Sequence, residues 1–205
     1  MSNSGSSTGS STGSRRPSPS EAERADVLRN RGAILDAAVD VLADDPSASL
    51  SEVARRAGLG RATLYRHFPS REALRDAIRQ EALTRARTAL GGAGLDDVPA
   101  REGVRRAAEV LVPLGMRFRV LLAEGADVDP DFTAARDVAL APLIGLVARA
   151  AAERGSAGGP AVNPAWTGMV LANLLVTAAR AADAGVIAPD EAADLVAATL
   201  FDGIG

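Results

Sequence analysis

The side chains with the clearest chemical character lie between positions 61 and 67. They are Arg61, Thr63, Tyr65, Arg66 and His67. A guanidinium group can read a guanine edge or hold a phosphate with paired hydrogen bonds, and hydroxyl and imidazole groups can donate to phosphate oxygens. These residue types are therefore typical of nucleic-acid contact, provided that one element presents them together.

Catalysis and metal binding have weak support in the same sequence. The chain has one histidine and no cysteine, which excludes thiolate zinc sites, iron–sulfur clusters and cysteine nucleophiles. No Ser-His-Asp arrangement is indicated, and the scattered acids do not have metal-ligand spacing. The run Gly91-Gly92-Ala93-Gly94 follows a predicted helix rather than a strand, so it is no dinucleotide fingerprint. We expect no enzyme activity, no cofactor and no metal.

The helix caps and glycines around these contact residues predict a helix-turn-helix. Ser49 and Glu52 form a capping box that opens a short helix ending at Gly58. Gly58 permits the left-handed backbone of a turn, and Gly60 precedes a second short helix over 61–67. In this geometry the second helix lies in the major groove. The expected buried positions are Val53, Ala54, Ala57, Leu59, Leu64 and Phe68.

Composition and the remaining helix start and stop signals divide the chain into four segments. A Ser/Gly/Thr-rich tail cannot bury enough apolar surface to order itself, so we expect it to be disordered. A first helix begins at the cap Ser20, and Ser70 caps a fourth helix. The predicted segments are the disordered tail 1–20, the helix-turn-helix domain 21–69, a connecting helix 70–90 and a C-terminal helical domain 91–205.

Prolines mark the helices of the C-terminal segment. Pro113 should kink or break one helix, with a further helix over 115–124, and Pro142 should kink another that runs from Pro130 to Arg154. Asn163-Pro164 and Pro189-Asp190-Glu191 are start signals for the last two helices. No convincing strand is present, so the sequence predicts an all-α fold of about nine helices.

Charge is divided unevenly along the chain. The net charge is −3, and every basic residue is arginine. Residues 51–71 nevertheless hold five arginines against one glutamate, a net +4, whereas residues 91–205 hold nine arginines against fifteen acids, a net −6. A positive field at the predicted contact surface favours DNA.

The run from Gly58 to Leu74, GLGRATLYRHFPSREAL, resembles the helix-turn-helix and following helix of TetR-family transcriptional regulators. Residues 34–38 resemble that family's first helix, and the resemblance covers about residues 31–78. Two positions depart from the family's pattern: Gly60 stands where Ser is common, and Ala62 where Gly is common. The C-terminal part resembles the family only in its helix count, its glycine-punctuated final helix pair and its ending, Leu200 to Gly203.

The resemblance implies a role for each position of the motif. Thr63, Tyr65 and His67 would clamp the DNA backbone, and Arg71 would add a phosphate contact. Arg61, Ala62 and Arg66 would face base edges. Ser49 and Ser51 would offer hydroxyl and amide groups to a phosphate. The roles of Arg55 and Arg56 stay open, and Arg15 and Arg16 of the tail either enter a minor groove or are solvated.

The C-terminal helices have two expected functions. Residues 164–184 and 189–202 have more apolar surface than one intramolecular contact uses, which favours a homodimer through a four-helix interface over a purely intramolecular role. In the family, the neighbouring helices surround a ligand pocket. The implied ligand contacts are Met116, Arg119, Phe132, Trp166 and Asn173, although side chains of these types more often belong to the core.

We therefore expect a cytoplasmic DNA-binding regulator. It would bind a palindromic operator in double-stranded DNA as a dimer and release it on binding a small-molecule effector. The alternative is a protein of the same architecture without a ligand, acting constitutively or through a protein partner. The apolar run from Ala165 to Ala179 is shorter than the ~20 residues that span a bilayer, so no membrane association is expected.

Overall fold

The structure is a computed structural model that describes residues 19–119, 121, 130–154 and 163–203. Within these residues the chain is helical and has no strand. The helices are α1 (Pro19–Asp44), α2 (Leu50–Arg56), α3 (Arg61–His67), α4 (Arg71–Gly92), α5 (Ala100–Arg117), α6 (Pro130–Ala139), α7 (Ala141–Arg154), α8 (Pro164–Asp183) and α9 (Ala192–Asp202). The all-α prediction, with about nine helices, is confirmed for the part of the chain described.

Two apolar cores organise the helices. The N-terminal core joins α1 to α4 through fully buried side chains such as Ile34, Leu64 and Ile78. In the C-terminal core, α5 packs against α4, α7, α8 and α9. The helix-turn-helix therefore has its own core, and α4 and α5 connect it to the larger bundle.

The turn between α2 and α3 forms as the sequence predicts. Gly58 has a φ of +69°, and the amide of Leu59 closes the turn on the carbonyl of Ala54 at 3.0 Å. Ser49 caps α2, because its hydroxyl accepts from the amide of Glu52 at 3.2 Å. The reciprocal bond of a capping box does not form, since the Glu52 carboxylate accepts from Arg55 at 2.6 Å instead.

The predicted inward face of the motif is confirmed. Val53, Ala54, Leu64 and Phe68 are buried, and Ala57 and Leu59 are half-buried. Because Leu64 of α3 and Phe68 just after it are buried in the N-terminal core, the polar side chains of α3 are left on the opposite face.

The first helix begins earlier than predicted. Pro19 starts α1, so Ser20 lies in the first turn rather than at the cap. Proline suits a first turn because its fixed φ is helical and its missing N–H would have no partner there. The predicted disordered tail falls on residues 1–18, outside the described residues, and on the first two residues of α1.

Two prolines act differently from the sequence prediction. Helix α5 continues through Pro113 to Arg117, because Val112 and Leu114 pack into the two cores on either side of it. The helix predicted over 115–124 is therefore partly the end of α5, and residues 120 and 122–124 are outside the described part. Pro142 separates α6 from α7 instead of kinking one helix, since it lies in the first turn of α7.

The last two helices differ in how well their starts were predicted. Asn163 caps α8 as expected, its side-chain oxygen accepting from the amides of Ala165 at 3.0 Å and Trp166 at 3.2 Å. Helix α9 begins only at Ala192, after a turn that includes Pro189. Here the Glu191 carboxylate accepts from the amide of Ala188, so this acid stabilises the turn rather than the helix start.

The sequence prediction that the apolar run after Pro164 is too short to span a bilayer was wrong. Helix α8 continues beyond Ala179, and its Ala165–Asp183 segment is long and apolar enough to span a membrane by length and composition alone. Leu171, Leu175 and Ala179 of this helix are nevertheless buried in the C-terminal core. Packing against the other helices of the bundle accounts for part of its apolar character, while Trp166 and Met169 of the same helix are exposed.

Candidate DNA-binding interface and cavity

Helix α3 presents its polar side chains on one outward face. Arg61, Ala62, Tyr65 and Arg66 are exposed, and Tyr65 keeps 48% of its surface open. Thr63 and His67 are half-buried beside them. The buried Leu64 fixes the rotation of the helix, so the structure brings the predicted contact residues of α3 together.

This face has two arginines without an acidic partner. Arg61 and Arg66 form no ion pair with any residue that the structure describes. On α2, by contrast, Arg55 pairs with Glu52 at 2.6 Å and Arg56 approaches Asp40 at 3.9 Å. The positive charge available to a polyanion is therefore concentrated on α3.

Another cation, which the sequence did not single out, lies beside α3. The guanidinium of Arg31 in α1 is 4.9 Å from the centroid of the Phe68 ring, a cation–π distance. Arg31 is exposed, so it adds positive charge near the end of α3. It is far from the motif in sequence and could be found only from how α1 crosses it.

His67 has one accessible ring edge at most. Its Nε2 is buried and has no hydrogen-bond partner among the described residues, and its ring lies 6.3 Å from that of Phe68. In this orientation a phosphate can be reached only from the Nδ1 side.

Arg71 is engaged with the loop that precedes α2. Its guanidinium donates to the carbonyls of Ser47 at 3.0 Å and Ala48 at 2.6 Å, and also to that of Pro46. Arg71 thus holds the chain from which Ser49 and Ser51 project, Ser49 exposed and Ser51 half-buried. A phosphate contact by Arg71 would use the guanidinium N–H groups that do not donate to these carbonyls.

A cavity of about 250 Å³ lies between the connecting helix and the C-terminal bundle. Most of its wall is aliphatic or aromatic, and its polar side chains are Arg136, Asn173 and Arg180. The wall includes Gly115, where a Cβ would lie 2.8 Å from the Cβ of Ala179. The lining residues are Ala82, Leu83 and Ala86 of α4, Leu111, Leu114 and Gly115 of α5, Phe118 and Leu121 just after α5, Phe132 and Arg136 of α6, Leu140 just after α6, and Ala172, Asn173, Leu175, Val176, Ala179 and Arg180 of α8.

The structure brings two of the five sequence-predicted ligand residues to this cavity. Phe132 and Asn173 line it. Met116 is half-buried against the C-terminal core, and Trp166 is 66% exposed on α8. Arg119 pairs with Asp44 at 2.8 Å, so its guanidinium is held at the end of α1.

One wall of the cavity is also part of the helix-turn-helix core. Phe118 and Leu121 line the cavity and belong to the N-terminal core. The guanidinium of Arg85 lies 5.6 Å from the Phe118 ring and bonds to Asp36 of α1 at 3.3 Å. A hydrogen bond to Glu81 raises the pKa of Arg85 above its usual value. A permanently charged group therefore connects the cavity wall to α1.

Comparisons with known proteins agree with this architecture. A family model described as bacterial regulatory proteins of the tetR family matches residues 34–78. The chain is also 31% identical over 177 residues to the HTH-type transcriptional repressor LfrR of Mycolicibacterium smegmatis, covering 86% of this chain and 90% of that protein. The chain belongs to the TetR family of bacterial transcriptional regulators. As a TetR-family member it is a DNA-binding transcriptional regulator rather than an enzyme.

A crystal structure of LfrR and one further relative define how far the TetR-family likeness extends. The crystal structure of M. smegmatis LfrR in complex with proflavine superposes with a TM-score of 0.72 at 29% identity, covering 87% of this chain and 97% of that chain. An uncharacterised HTH-type transcriptional regulator of Mycobacterium tuberculosis is 48% identical over 58 residues, 27% of this chain and 28% of that protein. Identity is thus higher over a short segment than over the whole chain.

Proposed function

We propose that this TetR-family regulator binds a palindromic operator as a homodimer and releases it when a small molecule occupies the cavity. The observation that carries the proposal is the double placement of Phe118, which lines the cavity and packs in the helix-turn-helix core. A ligand that displaces this ring must also change the packing beneath α1 to α4. Release requires that the ligand bind the DNA-free arrangement more tightly than the DNA-bound one.

The DNA contacts are proposed from the exposed face of α3. Arg61, Ala62 and Arg66 would face base edges in the major groove, and Thr63, Tyr65 and His67 would hold phosphates. Ser49 and Ser51 would bind a phosphate at the start of α2, and Arg71 would support that position. The proposed units are a DNA-binding domain over 21–69, a connecting helix over 70–90 and a ligand-binding and dimerisation domain over 91–205.

The proposed dimer uses α8 and α9. Trp166 and Met169 of α8 are 66% and 62% exposed, and Leu195 of α9 is 45% exposed. These side chains belong to the proposed interface segments 164–184 and 189–202. Pairing α8 and α9 with the same helices of a second subunit would bury them and place two copies of α3 on one side of a duplex.

A small-molecule ligand is supported by the relative that shares most of this chain's length. LfrR of M. smegmatis crystallised in complex with proflavine, and the present cavity is large and apolar enough for a compact organic molecule. The regulator would act in the cytoplasm, where bacterial DNA is found.

The test uses the full chain and DNA flanking its own gene. Fluorescence anisotropy should give specific binding that a scrambled duplex of equal length does not show, and sedimentation should give a complex of two chains per operator. Addition of compounds that fit the cavity should then release the DNA. Absence of specific binding would contradict the operator, and specific binding that no cavity ligand alters would favour a regulator controlled by a protein partner.

A further inference from the structure

Arg31 of α1 is an exposed cation that no acid in the described part of the chain neutralises. Its guanidinium lies 4.9 Å from the centroid of the Phe68 ring, and it forms no ion pair or hydrogen bond with any residue that the structure describes. We propose that Arg31 binds a phosphate of the DNA backbone beside the end of α3, with the Phe68 ring holding it in place. The proposal rests on the proposed binding of α3 in the major groove, and it adds a contact from outside the motif of α2 and α3.

The register of α1 explains why Arg31 has no acidic partner. Residues three and four positions apart on a helix are neighbours and can form ion pairs. For Arg31 these neighbours are all apolar: Val27, Leu28, Ile34 and Leu35. Arg29, by contrast, pairs with Asp26 three residues before it. The charge of Arg31 is therefore available to a ligand, whereas that of Arg29 is already matched within the helix.

The Phe68 ring gives the Arg31 side chain a fixed position. Phe68 is buried in the N-terminal core, so the ring itself is held by the packing of the helices. A guanidinium over an aromatic face is attracted by the ring, while its N–H donors lie in the guanidinium plane and can bind a phosphate. Because the side chain is already ordered, less conformational entropy is lost when a phosphate binds.

Arg31 lies next to the end of α3 but not on that helix. The ring of His67 is 6.3 Å from the same Phe68 ring, and the exposed Arg66 is in the last turn of α3. An α-helix with its side chains is about 10–12 Å across, which fills a major groove about 12 Å wide. A cation beside the helix therefore meets the phosphates that border the groove rather than the base edges.

The deciding measurement is the salt dependence of binding to a duplex of random sequence. Phosphate contacts also act in non-specific binding, and each one contributes about 0.9 to the slope of log K against log salt concentration. The full-length protein is titrated against a labelled random duplex of about 30 base pairs, by fluorescence anisotropy, between about 50 and 200 mM salt. We expect Arg31→Gln to lower the magnitude of the slope by about one for each subunit bound and to weaken binding about tenfold at the lower salt concentration.

The matched control is Arg29→Gln, which removes the same charge from the same helix. Arg29 is exposed and paired with Asp26, so the slope should stay at the wild-type value. Arg31→Lys should keep the slope and lose only part of the affinity, because lysine retains the charge without the planar group. Urea unfolding checks that each variant is folded, and Arg31→Met, which keeps an unbranched stem beside Phe68, replaces Arg31→Gln if that variant is unfolded.

Three results would overturn the phosphate contact. These are an unchanged slope in Arg31→Gln, an equal loss of slope in Arg29→Gln, which would point to net charge, and a slope in Arg31→Lys as low as in Arg31→Gln, which would point to a structural role.

The same titrations separate this contact from the proposed operator. If Arg31→Gln lowers the slope but no DNA flanking the gene binds more tightly than the random duplex, the operator is contradicted and the Arg31 contact stands. If an operator binds specifically while the slope of Arg31→Gln is unchanged, the proposed function stands and the Arg31 contact is wrong. Failure of the wild-type protein to bind either duplex would overturn both.

Discussion

Arg117 at the end of α5 donates a hydrogen bond to the carboxylate of Asp36 in α1, with a donor–acceptor distance of 2.7 Å. The same Asp36 oxygen accepts from Arg85 of α4 at 3.3 Å. One carboxylate therefore joins the first helix of the DNA-binding domain to the connecting helix and to the central helix of the bundle. Arg85 also lies 5.6 Å from the centroid of Phe118, a ring that lines the cavity and belongs to the N-terminal core.

Removing this carboxylate should reveal a measurable coupling between the two domains. In a double-mutant cycle of Asp36→Ala and Arg117→Ala, we expect a coupling of about 0.5 kcal/mol, because both groups are partly exposed to water. Urea unfolding of the four proteins measures it. The exposed pair Asp26 and Arg29 within α1 is the control, and zero coupling for the Asp36 pair would show that it does not connect the domains energetically.

Tyr65 and Arg61 should affect DNA binding in different ways. Tyr65→Phe removes one hydroxyl donor and should weaken binding to all sequences alike, by about 1 kcal/mol. Arg61→Ala should relax the base preference at one position in each half-site, at a cost of about 1–3 kcal/mol. Anisotropy titrations over a panel of operator variants distinguish these outcomes. A change of base preference in Tyr65→Phe, or uniform weakening in Arg61→Ala, would reverse the assigned roles.

Arg71 should contribute to folding as well as to DNA binding. Arg71→Gln removes bonds to three consecutive carbonyls, and we expect a loss of the order of 1–3 kcal/mol in the free energy of unfolding. Arg66→Gln is the matched control, since Arg66 is exposed and should leave stability within about 0.5 kcal/mol. Similar unfolding curves for the two variants would mean that the loop before α2 does not depend on Arg71.

The two glycines of the turn should respond oppositely to substitution. Gly58 has a φ of +69°, so Gly58→Ala should cost about 1–2 kcal/mol. Gly60 has an extended backbone, and a Cβ there would meet only the Thr63 hydroxyl at 4.0 Å. Gly60→Ser should therefore be neutral or stabilise α3 by a few tenths of a kcal/mol through a better cap. Thermal unfolding of both variants checks this, and equal losses would contradict the conformational argument.

The proposed dimer can be tested on the exposed face of α8. Met169→Glu places a charge in the proposed interface and should shift the sedimenting species from dimer to monomer at micromolar concentration. Val138→Glu is the control, because Val138 is 69% exposed on α6, away from the interface segments. A dimer that persists in Met169→Glu would exclude this face.

The helix-turn-helix could be predicted from the sequence because its signals are local. The Ser49 cap, the positive φ of Gly58 and the inward Leu64 each depend on neighbours within a few residues. The bond from Arg71 to the loop before α2 could not be predicted, because it spans more than twenty residues. The roles of the exposed α3 residues toward DNA stay predictions.

The cavity was less predictable, because its wall depends on how distant helices cross. Trp166 and Met116 suit an apolar ligand by residue type, yet α8 exposes Trp166 to solvent and α5 packs Met116 against the C-terminal core. Gly115, the neighbour of Met116, lines the cavity instead. Arg136 and Arg180 gave no signal in the sequence, since nothing local indicates that α6 and α8 present them to one space.

The double placement of Phe118 also has an evolutionary consequence. A regulator can adapt to a new effector by changing cavity residues that belong to neither apolar core, such as Val176. Phe118 has no such freedom, because a different side chain would also have to fit the core beneath the recognition helix. Among related repressors with divergent ligands, this position should therefore vary more slowly than the rest of the wall.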